Sequence, residues 1–272
     1  AARGSYIAGF DGTSNVIADI ELGINSSGTM AHSFVQRFDN EMESFETYYK
    51  LYGKDSILLI DTYDTERAAK SICKYKNTIK AVRIDSGDLI EHSKNVRKIL
   101  DENGCEKVLI VASSDLNEYK IKNLLDNNAP VDAFGIGTEL ATSRDDPSLA
   151  VVYKLMEYQG KPKIKTSEKK ITFPGEKQIY RTYNKNGLFK EDILMLEGET
   201  PPSNSEALLI PIMKKGILNC QIPSLNEIKQ YYLKNIEKLP NEFKDLDKNE
   251  DYKVKISNKL NDLINSLRKQ YS

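Results

Sequence analysis

This sequence lacks the features that mark most specialised classes of chain. Its longest apolar stretches, residues 57–60 and 207–210, fall far short of the ~20 residues that cross a bilayer, which excludes a membrane-spanning helix, and its balanced charge implies no anionic-membrane partner. Charge of one sign is missing as well. Thirty-nine basic residues against 40 acidic ones give a formal net charge of -1, so no field exists to hold nucleic acid. Cysteine is scarce: Cys73, Cys105 and Cys220 lie far apart, without CxxC spacing or neighbouring histidines. That excludes a disulfide framework and a structural zinc site, and reads as reduced thiols in a cytoplasm. GxSxG and GxxxxGK[ST] are absent, which removes the hydrolase elbow and the P-loop. No lysine ends a strand, since Lys80 begins one, so Schiff-base chemistry is not supported. The first residues, Ala-Ala-Arg-Gly, carry neither an initiator Met nor the apolar core of a signal peptide, and the expectation is a chain that starts inside a longer protein.

What is present is a recurrence. Four short apolar runs end in small polar and acidic residues, at 57–61, 81–88, 108–115 and 133–139. In proteins that alternate strands and helices, chemistry gathers at the carboxyl ends of the strands. As a strand, Ala81-Val82-Arg83-Ile84-Asp85 puts Val82 and Ile84 on one face and Ala81, Arg83 and Asp85 on the other. In a (β/α) barrel the Val82 face packs on helices and the Arg83 face points into the barrel, with Arg83 and Asp85 near the mouth. Helical patterns follow each run. Residues 90–103 carry Ile90, Val96, Ile99 and Leu100 and stop at Gly104, and Asp115 with Glu118 is spaced like a capping box. Residues 30–49 read as one helix with the stripe Met30, Phe34, Phe38, Met42, Phe45 and Tyr49.

Downstream of Tyr158 the composition shifts to alternating Lys, Thr and Ile, with turns at Pro174-Gly175 and Asn186-Gly187. Residues 227–238 and 254–271 read as amphipathic helices. The expected division is a partial barrel over residues 1–157 and a strand-containing, helical C-terminal part over residues 158–272. The lysine pairs Lys169-Lys170 and Lys214-Lys215 read as solvated faces.

His32 is one of two histidines. It falls off the apolar stripe in a first helical turn, where it could accept a phosphoryl group or pass a proton, although a lone histidine is more often structural. The other, His92, reads as surface. Asp85-Ser86-Gly87-Asp88 is either a turn that caps the next helix or a ligand site. In the second case Arg83 grips a carboxylate or phosphate, and Asp85 and Asp88 face a ribose hydroxyl or a Mg²⁺ ion. No direct metal-ligand motif exists beyond that contact. Gly135-Ile136-Gly137-Thr138 is a lone GxG, weak alone, at a position where barrels often bind phosphate. Ser113 and Ser114 are candidates for hydroxyl or phosphate contacts, and Asp61, Thr62, Tyr63 and Asp64 are weaker candidates that also read as a cap for the next helix.

In register, Phe10-Asp11-Gly12-Thr13-Ser14-Asn15, Gly28-Thr29-Met30-Ala31-His32-Ser33-Phe34, Leu59-Ile60-Asp61-Thr62-Tyr63-Asp64-Thr65, Val82-Arg83-Ile84-Asp85-Ser86-Gly87-Asp88, Ala112-Ser113-Ser114-Asp115, Phe134-Gly135-Ile136-Gly137-Thr138 and Val152-Tyr153-Lys154-Leu155 resemble the nicotinate phosphoribosyltransferase family. The resemblance is specific up to about Arg181 and loose beyond it. It implies an α/β fold, a (β/α) barrel of the type II phosphoribosyltransferase kind that is incomplete at its amino-terminal side. It also implies synthesis of nicotinate mononucleotide and pyrophosphate from nicotinate and phosphoribosyl pyrophosphate, with Mg²⁺, coupled ATP hydrolysis and a homodimer. Carried over, His32 resembles the phosphorylated histidine, Thr29 a nicotinate contact, Arg83 the partner of the nicotinate carboxylate, and Thr138 a phosphoribosyl contact. Asp85, Ser86, Gly87 and Asp88 would line the ribose and pyrophosphate, and Gly135 and Gly137 the 5-phosphate. Two alternatives stand beside this: a relative that takes nicotinamide or quinolinate, and a truncated, catalytically silent chain that binds phosphoribosyl ligands or pairs with another subunit.

Overall fold

A computed structural model of the chain describes residues 1–166, 172–248 and 250–271. They form two compact units, Ala1–Tyr6 with Phe10–Leu149, and Ile7–Gly9 with Ala150–Ser272. A short helix α1 (Ala2–Ile7) opens the chain, followed by α2 (Val16–Leu22), α3 (His32–Gln36) and α4 (Glu41–Tyr52). A regular alternation comes next: β1 (Ile57–Leu59), α5 (Thr65–Ile72), β2 (Ala81–Ile84), α6 (Leu89–Glu102), β3 (Leu109–Ala112), α7 (Glu118–Asp126), β4 (Ala133–Phe134) and α8 (Thr138–Ala141). The four strands make one open sheet in the order β1-β2-β3-β4, and every pair is parallel. Each crossover contains a helix, as parallel neighbours require.

The alternation along β2 explains how this sheet aims its chemistry. Val82 and Ile84 are fully buried in a core with Leu58, Val96, Leu100 and Ile110, each such side chain contributing about 1.5–3 kcal/mol of burial. Arg83, between them, is thereby turned to the opposite face. The helix α6 begins where the Asp88 carboxylate accepts hydrogen bonds from the N–H groups of Ile90 and Glu91. It ends just ahead of Gly104, whose φ of 74° is natural only for glycine.

Several local expectations are corrected. The helix read over residues 30–49 is two helices, because Asn40 N-caps α4 by accepting from the Met42 N–H at 2.8 Å. An Asn side chain competes with the helical backbone in this way and starts a new helix. The stripe still packs across the break, with the Phe34 ring 5.3 Å from Phe38 and 5.9 Å from Tyr48. Asp115 does not cap α7: it sits at a φ of 46°, and the cap is Asn117, which accepts from the Lys120 N–H.

In the second unit, β5 (Glu157–Tyr158) pairs with β6 (Lys161–Pro162), and β10 (Met213–Lys214) with β11 (Ile217–Leu218), each antiparallel. The main sheet has the order β12-β8-β7-β9, built from β7 (Lys177–Tyr183), β8 (Phe189–Leu196), β9 (Ser205–Ala207) and β12 (Val254–Ile256). The β7–β8 hairpin turns where expected, at Asn186-Gly187, with the Asn184 side chain accepting from the N–H groups of Asn186 and Leu188. Helix α9 (Leu225–Lys238) starts with a Ser224/Glu227 capping box. Residues 254–256 are not helical: they form β12, parallel to β8, and α10 (Asn258–Tyr271) begins after Ser257 accepts from the Leu260 N–H. Lys214 and Lys215 are exposed, while Lys169-Lys170 falls outside the described residues.

Candidate active site

The carboxyl ends of β1, β2 and β3 converge on one polar network, and its centre is Arg83. The Arg83 Nε donates to Ser113 Oγ, one terminal nitrogen to Thr29 Oγ1 and the other to Asp85 Oδ1, each at 2.8 Å. Ser113 Oγ also donates to Asp85 Oδ1. A guanidinium has five N–H groups in a rigid fork. Three bond these described residues, which fixes the plane of the fork and leaves two donors for a ligand. Burial alone would raise the Asp85 carboxyl, but the Ser113 hydroxyl and the Arg83 guanidinium outweigh it and hold it below the ordinary value.

The strand β1 supplies Asp61, whose side chain is 2% exposed. Its Oδ2 accepts from the Asp85 N–H at 2.9 Å and from the Ser86 hydroxyl at 2.6 Å. Its Oδ1 is buried without a hydrogen-bond partner among the described residues. Capping of α5 falls to Asp64 instead, which accepts from the Arg67 N–H. Asp61 is therefore a member of the site, not the helix cap that its position also allowed.

His32 opens α3 and meets the same carboxylates. Its Nδ1 lies 3.1 Å from Thr62 Oγ1, and its Nε2 is 3.9 Å from Asp61 Oδ1 and 3.7 Å from Asp85 Oδ2. One ring nitrogen is thus oriented by a hydroxyl while the other faces two carboxylates, on a side chain that is 36% exposed.

Other proposed residues stand apart from this network. Asp88 spends Oδ1 on the N-cap of α6. Gly87 takes a φ of 75° in the turn between Asp85 and that cap. Gly135 approaches Ser113 so closely that a Cβ built there would lie 3.2 Å from the serine Cβ. Ser114, at a φ of 109°, lies outside the hydrogen bonds that join Arg83, Asp85 and Ser113, and Gly137 and Thr138 are exposed at the start of α8. Thr62 is the member that sequence reasoning undervalued. The one signal for it was its place directly after Asp61 at a strand end.

Comparison with known proteins supplies the last observations. Residues 5–187 match the model of the Nicotinate phosphoribosyltransferase (NAPRTase) family, and residues 200–264 that of the Nicotinate phosphoribosyltransferase C-terminal domain. Nicotinate phosphoribosyltransferase pncB2 of Mycobacterium tuberculosis is 41% identical over 267 residues, covering 95% of this chain and 57% of its own length. The nicotinate phosphoribosyltransferase of Bacillus subtilis is 37% identical over 292 residues, covering 94% of the chain and 59% of its own length. The chain thus spans little more than half of these relatives. Human nicotinic acid phosphoribosyltransferase superposes with a TM-score of 0.79 at 24% identity, over 98% of this chain and 66% of that one, a likeness of fold.

Proposed function

The chain belongs to the nicotinate phosphoribosyltransferase family, and from that premise we propose that it forms nicotinate mononucleotide and pyrophosphate from nicotinate and phosphoribosyl pyrophosphate, in salvage of nicotinate for NAD. The observation that carries this reading is Arg83, pinned by Thr29, Ser113 and Asp85 with two N–H donors left for the nicotinate carboxylate. Held there, the pyridine nitrogen attacks the ribose C1 with its lone pair as the C1–O bond breaks and the electron pair leaves with pyrophosphate. The residues around Asp61 and Asp85 would bind the ribose and pyrophosphate.

ATP is the proposed co-substrate. The γ-phosphoryl group would move from ADP oxygen to an unprotonated nitrogen of His32, and water would later cleave the P–N bond. Thr62 on Nδ1 orients the ring and leaves Nε2 as the nucleophile. Among the described residues no cluster of three His, Cys, Asp or Glu could hold a metal ion. Mg²⁺ usually needs only one or two carboxylates besides substrate phosphates, and Asp61 Oδ1, which accepts no hydrogen bond among the described residues, with Asp85 fits that mode. Bound there, the ion would neutralise charge on the departing pyrophosphate. The barrel, incomplete in four strands, the homodimer and a cytoplasmic location complete the proposal. The sequential parallel order supports the first and three free thiols the last. The homodimer rests on family membership.

The test is an assay of nicotinate mononucleotide formation by the chain alone and joined to the segment by which its longer relatives exceed it, using nicotinate and nicotinamide in parallel. Product from nicotinate in either form, with an acid-labile phosphate from γ-labelled ATP that His32→Ala abolishes, is the expected result. Product in neither form sinks the proposal in favour of a silent ligand-binding chain.

A further inference from the structure

Resting on that reading, we infer that His92, clamped by Glu66, is a positioning residue that sets the shape of the loop at residues 85–88, where phosphoribosyl pyrophosphate would bind. His92 lies one turn into α6, and its N–H closes the first turn on the Asp88 carbonyl at 2.9 Å. Its Nδ1 is 2.9 Å from Glu66 Oε1, and the Asn95 amide donates to the same oxygen at 3.3 Å. Glu66 belongs to the first turn of α5, so this pair ties the helix after β1 to the helix after β2. Burial raises the Glu66 carboxyl, but the hydrogen bonds from His92 and Asn95 bring it below its ordinary value, so it remains an anion able to hold the ring. The far edge of that ring lies over Gly87, in the space a side chain there would take. A Cβ built on Gly87 would lie 2.7 Å from His92 Nε2 and 2.9 Å from Cδ2. The loop is thus held from two sides, at Asp85 and Ser86 by Asp61 and at Gly87 by His92. The His92 side chain, read from sequence as surface, is half-buried at 29% exposure. No bond between His92 and substrate is invoked.

The experiment uses the full chain and measures three things: amide hydrogen exchange at residues 85–88, affinity for phosphoribosyl pyrophosphate, and affinity for nicotinate. His92→Ala is expected to speed exchange at Ser86 and Gly87 and weaken phosphoribosyl pyrophosphate about 10-fold, with nicotinate on Arg83 changed less than about 2-fold. His92→Asn, whose amide can replace Nδ1 toward Glu66 but lacks the ring edge that faces Gly87, is expected to recover little of the loss, which separates the buttress from the Glu66 tie. Gly87→Ala serves as a second probe, and its clash is expected to be partly relieved in the His92→Ala background. Unchanged exchange in His92→Ala overturns the inference, as does equal weakening of both ligands, the mark of general destabilisation. A wild-type chain that binds neither ligand would remove the functional reading alone, because loop exchange is read without any ligand and still decides for or against the buttress.

Discussion

Arg83 is a planar fork whose three nitrogens each bond a different protein partner, so charge alone does not describe its task. Arg83→Lys keeps the charge but gives up the fixed plane and the paired donors. A carboxylate held by charge-assisted hydrogen bonds loses about 1.5–3 kcal/mol when such a bond is removed. On the proposed function, the KM for nicotinate in Arg83→Lys is therefore expected to rise by about 10-fold or more, measured in the mononucleotide assay with phosphoribosyl pyrophosphate saturating. Asp85 gives a pH signature with a definite sign. Its folded value lies below the ordinary 3.8, so its contribution to stability is full above that value and is lost as pH falls through the folded one. Asp85→Asn should be less stable than wild type at about pH 6, with the gap in melting temperature closing toward about pH 3. A gap that widened on acidification would contradict the Ser113 and Arg83 contacts as the cause.

At the scale of elements, the strands were legible because their apolar runs are short and bounded, and the period of two along Ala81-Val82-Arg83-Ile84 already turned Arg83 away from the core. Helix starts were less so. Asp115 and Asn117 are both good caps, and only the backbone conformation after β3 selected Asn117. Residues 254–256 carry an apolar spacing compatible with strand or helix, and their pairing with β8, a partner some 60 positions away, decided it. Separation along the chain likewise hid Thr62 on His32 and Glu66 on His92. The break at Asn40 makes a clean test. Removing the side chain that accepts from Met42 in Asn40→Ala is expected to cost about 1 kcal/mol in urea unfolding, while Asn40→Gly costs only a few tenths. Equal losses in the two would mean that the side-chain cap is not what separates α3 from α4.

For the whole molecule, the division into two units matters more than the total of secondary structure. Every residue of the Arg83 network belongs to the first unit. The second has its own polar anchor: Arg181 of β7 forms a bidentate pair with Asp192, its cross-strand partner on β8, at 2.9 and 2.8 Å. Tyr252 donates to the same carboxylate, and its hydroxyl is pushed up to about 12, first by burial and then by Asp192. Arg181 also stacks over the Phe189 ring at 4.4 Å. Asp192→Ala removes the acceptor for three hydrogen bonds, two from Arg181 and one from Tyr252, and hydrogen bonds to charged groups contribute about 1.5–3 kcal/mol each. That loss should appear in the unfolding of the second unit, followed by exchange of the amides of β7 and β8. On the proposed reading, in which Arg83 of the first unit holds nicotinate, nicotinate affinity is expected to stay within about 2-fold of wild type. Loss of both together would show that the two units do not unfold independently and that the site depends on the second.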